Sequence, residues 1–224
     1  MKRNRLLLSL LFISQFTISQ KSNFKIPDSL KSKSYQYLDE RIEEFEEDSS
    51  KAAVYLYTFL LKAKKEEKWD QLVAAYQNLM HANSEKLRSV YADSMIYAAK
   101  KTNDNAIIGS SYLTKGIVYY SLKKHNLALD NYLTANNYIS RTADDYLIFK
   151  LKYNIALVKY YLGYYDEAIS LLEECIAYFK KEKSQPYLNS LHSLGLCYNR
   201  QGNYGRVTEI NALGLKECEK LGIK

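Results

Sequence analysis

The chain reads as an all-α protein of helix–turn–helix repeats stacked into a solenoid. Three observations predict this. Only 2 prolines and 8 glycines interrupt 224 residues, which favours long helices joined by short turns. Apolar residues recur at i, i+3, i+4 and i+7, the period of an amphipathic helix. Small residues suited to close helix crossings, Gly116, Ala156 and Gly195, return at intervals of 40 and 39 residues, the mark of a repeat array. A hydrophobic content of 47% supplies a core and argues against global disorder.

Taken in order, Met1 to Gln20 has a basic start, an apolar run from Leu6 to Ile13, and small residues at Thr17 and Ser19. This is the order of a secretory signal peptide, with cleavage expected after Ser19. The apolar run is shorter than the roughly 20 residues a membrane span needs. An uncleaved N-terminal anchor in the inner membrane is the alternative, and no later segment reads as a span. The mature product is expected outside the cytoplasm, periplasmic or extracellular.

Residues 20–68 are expected to form an atypical or capping helical pair. Its first helix runs from Ser29 to Glu47. Its second is capped by Ser49 or Ser50 and carries an apolar stripe of Ala53, Leu56, Tyr57, Leu60 and Leu61. Residues 69–105 follow as a degenerate repeat: a helix from Trp69 to Met80 with Ala75 at the crossing, a loop HANSEK, and a helix from Val90 to Lys101.

Residues 106–224 hold three cleaner repeats, about 106–145, 146–184 and 185–222. Each has a small residue on its first helix, a Gly or polar turn, an aromatic, then small, bulky and small residues on its second helix. Gly116, Tyr119, Ala128, Tyr132 and Ala135 fill these places first. Ala156, Gly163, Tyr165, Ala168, Leu172 and Cys175 fill them next, and Gly195, Tyr198, Gly202, Tyr204, Val207, Asn211 and Gly214 last. The small residues Gly116, Ala128, Ala135, Ala156, Ala168, Cys175 and Gly195 are expected to pack the repeats, because they let ridges and grooves interlock. No pair buries both its faces alone, so pairs must stack.

The segments LKYNIALVKYYLGYYDEAISLLEECI, LHSLGLCYNRQGNYGRV and SYLTKGIVYYSLKKHNLALDNYLTA resemble the tetratricopeptide repeat. The likeness covers about Ser110 to Leu221 well and Trp69 to Lys101 weakly. The terminal Pro is missing, Asn211 and Gly214 replace an aromatic and an Ala, and the period is near 40 rather than 34. The resemblance implies a right-handed superhelix whose first helices line a concave groove for a protein or peptide. A signal-like start followed by DSL, YADSMIYAAKKTND and KGIVYY also resembles the extracytoplasmic sensor half of bacterial membrane-bound regulators with an AraC-like helix-turn-helix or histidine-kinase half. That likeness implies an input module for a signalling or transcription-regulating system.

On the repeat template, the groove wall is Leu113, Ile117 and Tyr120, then Lys150, Tyr153, Leu157, Tyr160 and Tyr161, then Asn189, His192, Leu196, Asn199 and Arg200. It is aromatic and apolar with a basic fringe, suited to an apolar or aromatic peptide of some acidic character. Tyr153 and Tyr160 are the expected anchors. The chain has 22 tyrosines, whose rings bury apolar area while their hydroxyls stay wet. The second reading is a free-standing envelope scaffold that self-associates through the uncapped final helix, with Val207, Ile210 and Leu215 on its apolar side.

No catalytic, metal or cofactor site is expected. His81, His125 and His192 fall in different repeats, and His125 reads as a solvated turn residue. HEXXH, GxSxG, P-loop and Rossmann patterns are missing. Cys175, Cys197 and Cys218 form no CxxC pair and read as small buried residues. An enzyme would need a constellation that spacing does not reveal. The formal charge is +7, of which Lys2, Arg3 and Arg5 belong to the leader, so the mature chain carries +4, too little to point to nucleic acid.

Overall fold

The computed structural model describes residues 24–82, 85–182 and 185–221. The expected leader and its cleavage site lie outside the described residues. Among those described there are ten α-helices: α1 Tyr35–Glu44, α2 Ser49–Lys65, α3 Trp69–His81, α4 Glu85–Thr102, α5 Asn105–Ser121, α6 His125–Ile139, α7 Asp145–Leu162, α8 Tyr165–Phe179, α9 Gln185–Arg200 and α10 Tyr204–Leu221. Short 3₁₀ turns occupy Asp28–Leu30 and Lys180–Glu182. No helix among the described residues is long and apolar enough to cross a membrane.

Short polar side chains set several helix starts. Ser34 Oγ accepts from the Tyr37 N–H at 3.1 Å, so the expected helix from Ser29 becomes a 3₁₀ turn followed by α1. Asp48, rather than Ser49 or Ser50, caps α2 by accepting from the Lys51 N–H at 3.1 Å. Asp104 and Asp144 do the same for α5 and α7. Such caps stabilise a helix by about 1 kcal/mol each. The second helix of residues 69–105 begins at Glu85 rather than Val90, because Glu and Lys in HANSEK are good helix formers and extend it backwards.

The chain divides into two compact units, residues 1–82 and 83–224. The division falls within the 69–105 stretch, so its two helices belong to different units. In the first unit α2 packs on α1 and α3. Its buried stripe is Ala52, Leu56, Phe59, Leu60 and Ala63, which includes the expected Leu56 and Leu60, whereas the expected Ala53, Tyr57 and Leu61 are half-buried. Phe59 packs its ring 5.0 Å from that of Tyr35, which fixes the rotation. Tyr35 Oη donates to Glu66 at 2.8 Å, and Asn78 Nδ2 donates to Asp39 at 2.8 Å, tying α3 back to α1.

In the second unit each helix from α4 to α10 packs on the next. One core cluster holds Leu113, Ala128, Tyr132, Ala135, Ile139 and Leu151. The other holds Leu172, Cys175, Phe179, Tyr187, Leu191 and Cys197. Each cluster joins the second helix of one pair to the first helix of the next, the arrangement that makes a solenoid rather than a set of separate hairpins. Gly116, Ala128, Ala135, Ala156, Ala168, Cys175 and Gly195 are all buried. Lys123, Gly163 and Gly202 adopt φ of +58°, +86° and +74° at the helix ends. The following N–H groups return to the carbonyls of Tyr119, Lys159 and Tyr198 at 2.9–3.0 Å, closing each helix with a Schellman bond.

All three cysteines are free thiols. Cys175 Sγ donates to the Phe149 carbonyl at 3.6 Å, and burial pushes its thiol up to about 12. Burial likewise pushes Cys197 up to about 11.

Candidate functional site

The site is built from the first helices of three successive pairs, α5, α7 and α9. Tyr153 Oη lies 3.4 Å from Ser193 Oγ, and Arg200 Nε donates to Tyr160 Oη at 3.1 Å. Both contacts join residues 40 apart, so α7 and α9 run side by side in one register. The rings of Tyr120 and Tyr161, 5.6 Å apart, tie the end of α5 to the end of α7.

This register arranges the face in rows across the helices. Lys150 and Asn189, both exposed, sit towards the N-terminal ends. Half-buried Tyr153 and exposed His192 come next, then Ile117, Leu157 and Leu196, each leaving apolar surface open. Tyr120, Tyr160, Tyr161, Asn199 and Arg200 close the C-terminal ends. Leu113 is a correction. It is only 2% exposed and packs in the Tyr132 cluster, because it lies one turn deeper than Ile117 against α6.

The C-terminal row is an aromatic ladder. His125 stacks on Tyr161 with centroids 4.7 Å apart and planes within 7°. Tyr120 meets both rings edge-on, and Tyr160 meets Tyr161 and Tyr165. The Arg200 guanidinium lies over Tyr160 at 5.9 Å. His125 is therefore not a solvated turn residue: its Nδ1 is shielded and has no hydrogen-bond partner. Sequence reasoning missed it although a signal was present. His125 lies 40 residues before Tyr165, which the template already places in a ring position. Burial and the neighbouring Tyr161 raise the Tyr120 hydroxyl above its ordinary value.

A second feature is a cleft of about 490 Å³ between α9 and α10. Leu188, Leu191, Ile210, Gly214, Leu215 and Cys218 line it. In α6 and α8 the corresponding positions are closed by the next helix. In α10 Asn211 stands where α6 and α8 have the bulky Tyr132 and Leu172, Gly214 stands where they have Ala135 and Cys175, and Leu215 is 67% exposed.

Residues 147–207, which include α7 and α9, match the family model described as tetratricopeptide repeat. A curated relative, response regulator aspartate phosphatase J of Bacillus subtilis (strain 168), is 26% identical over 129 residues, 58% of this chain and 33% of that protein. The chain thus spans about a third of the length of the curated relative it matches. Among solved structures, aspartyl phosphate phosphatase F from Bacillus subtilis superposes with a TM-score of 0.70 at 17% identity, over 84% of this chain and 51% of that one. A Rap protein complexed with competence and sporulation factor superposes with a TM-score of 0.67 at 19% identity, over 92% of this chain and 58% of that one. At these identities the structural likeness is one of fold. The second unit is an all-helical repeat array.

Proposed function

We propose that this protein binds an extended peptide or partner segment on the face made by α5, α7 and α9, without turnover, as the input or interaction part of an exported signalling system. The in-register contacts of α7 with α9 carry this reading. They align Leu157 with Leu196, and the Tyr120–Tyr161 ring contact brings Ile117 of α5 into the same open apolar row, flanked by Tyr153 on one side and Tyr160 on the other. Tyrosine rings held this way give large contact area with little rotamer entropy to lose. The likeness to a Rap protein captured with its factor supports the same use of the fold. Export rests on the residue order of Met1 to Gln20, and the signalling role on the resemblance to bacterial sensor halves.

The test is capture of an array of random octapeptides by the full chain and by a Tyr153→Ala/Tyr160→Ala double variant. The double variant is expected to lose at least about tenfold in signal on the retained spots, two anchors at roughly 1–2 kcal/mol each. Equal retention by the variant would sink the assignment to this face.

The open α9–α10 cleft, with Leu213 36% and Leu215 67% exposed, favours a second reading. Here the protein is a scaffold that self-associates through α10. Sedimentation equilibrium distinguishes the two: a mass that rises with concentration and falls back in Leu215→Lys supports the scaffold, and a concentration-independent monomer removes it.

A further inference from the structure

We infer that the peptide this face takes is acidic, with two carboxylates four to five residues apart on either side of an apolar or aromatic centre. The inference rests on the peptide-binding reading above and deepens it. Its basis is a division of charge between the two kinds of helix. The face-forming helices α5, α7 and α9 carry Lys115, Lys150, Lys152, Lys159 and Arg200 against one carboxylate, Asp145, in the first turn of α7. The second helices α6 and α8 carry Asp130, Asp166, Glu167, Glu173 and Glu174 and no Lys or Arg, while α10 carries Glu209, Glu217 and Glu219 beside Arg206, Lys216 and Lys220.

Three of those lysines are neutralised by a carboxylate on a neighbouring helix, α4 or α8. Lys115 pairs with Asp93, Lys152 with Glu174, and Lys159 with Glu167. Two cations remain over. Lys150 is exposed and has no carboxylate partner among the described residues. Arg200 is exposed, and its one hydrogen bond among the described residues goes to the Tyr160 hydroxyl, not to a carboxylate. No carboxylate stands in the rows between them. An anion approaching this face meets unpaired positive charge at both ends and apolar side chains in the middle. A cation meets repulsion and no partner.

The spacing sets the ligand's pattern. Lys150 and Tyr160, the seat of Arg200, lie ten residues apart on α7, about 15 Å at 1.5 Å per residue. An extended chain covers that distance in about four to five residues at 3.3–3.6 Å each. The apolar centre then lies over Ile117, Leu157 and Leu196.

The experiment is the same random octapeptide array, read for composition at low and at physiological salt, with the full chain, a Lys150→Glu/Arg200→Glu variant and the Tyr153→Ala/Tyr160→Ala variant. Circular dichroism confirms that each is helical. The proposal expects Asp and Glu enriched at least about threefold on retained spots, paired at four to five residues, with retention weakened by salt. The charge-reversed variant is expected to prefer Lys and Arg instead. Retained spots rich in aromatics but with no Asp or Glu excess, or an acidic preference unchanged by charge reversal, overturn the inference and leave the peptide-binding face standing. Retention unaffected by the double tyrosine variant, or no retention at all, overturns both.

Discussion

Gly116 has no room for a methyl group. A Cβ there would lie 2.2 Å from the Tyr132 ring, and Tyr132 is itself fully buried. Gly195, its counterpart two repeats on, is different: a Cβ would meet nothing nearer than Asn211 Oδ1 at 3.4 Å. Gly116→Ala is therefore expected to destabilise by about 1–3 kcal/mol through overpacking. Gly195→Ala should be neutral or gain up to about 1 kcal/mol of helix propensity. Thermal melts of the two variants check this, with roughly 2–4 °C per kcal/mol expected in a protein of this size. The repeat spacing put both glycines at crossing points. Only the partner side chain, a Tyr ring in one case and Asn211 in the other, separates a required glycine from a dispensable one. Leu113 carries the same lesson. Its place on the template suggested the groove, and the bulk of α6 behind it made it core.

Helix ends follow a shared device with unequal residues. Gly163 and Gly202 adopt the left-handed conformation freely, whereas Lys123 holds it at φ +58° with a Cβ that crowds the backbone. Lys123→Gly is expected to raise stability by about 1 kcal/mol and to leave the Lys124 to Tyr119 closing bond intact; chemical denaturation with an unchanged m-value checks it. Element existence was legible throughout 106–221 because the small and bulky residues of the repeat return there at a fixed spacing. Boundaries were less so. The start of α4 at Glu85 follows the helix propensity of residues within HANSEK, and Asp48 rather than a serine caps α2 because its carboxylate accepts from the Lys51 N–H. The in-register pairing of α7 and α9 was implicit in the repeat length. The stacking of His125 on Tyr161 was not found, although the same repeat length places His125 opposite Tyr165.

Across the whole molecule, the two units respond differently to pH. Hydrogen bonds hold the carboxyls of Asp28, Asp48, Glu66 and Asp70 below their ordinary values of 3.8 to 4.5; the donors are Lys31, Lys51, Tyr35 and Gln71 in turn. All four lie in the first unit. Depressed carboxyls stabilise the folded state above the unfolded value and lose that effect as pH falls through the folded one. The first unit is thus expected to soften below about pH 4. The chain's one tryptophan, Trp69, reports on that unit alone, so its fluorescence should change before far-ultraviolet circular dichroism on acid titration. In the second unit the raised thiols act in the opposite sense. Folded Cys175 and Cys197 keep protons that the unfolded chain releases near 9.0. Their contribution is complete below about pH 9 and lost as pH climbs towards 11 and 12. A Cys175→Ala variant should flatten the fall of melting temperature over that range. An equal fall in variant and parent would show that the thiol does not govern it.

The sequence by itself determined the helical repeat, its period near 40 residues, the small residues that pack it, and the face that its first helices share. Those are local and periodic properties, written in residue size and spacing. The tertiary structure decided what periodicity does not encode. It set which lysines are neutralised by a neighbouring helix and which are left over, that Leu113 turns inward, and that His125 joins an aromatic ladder. It also left the cleft beside α10 open. Each of these depends on the side chain that arrives from another helix, and pairing across helices is a property of the packed array.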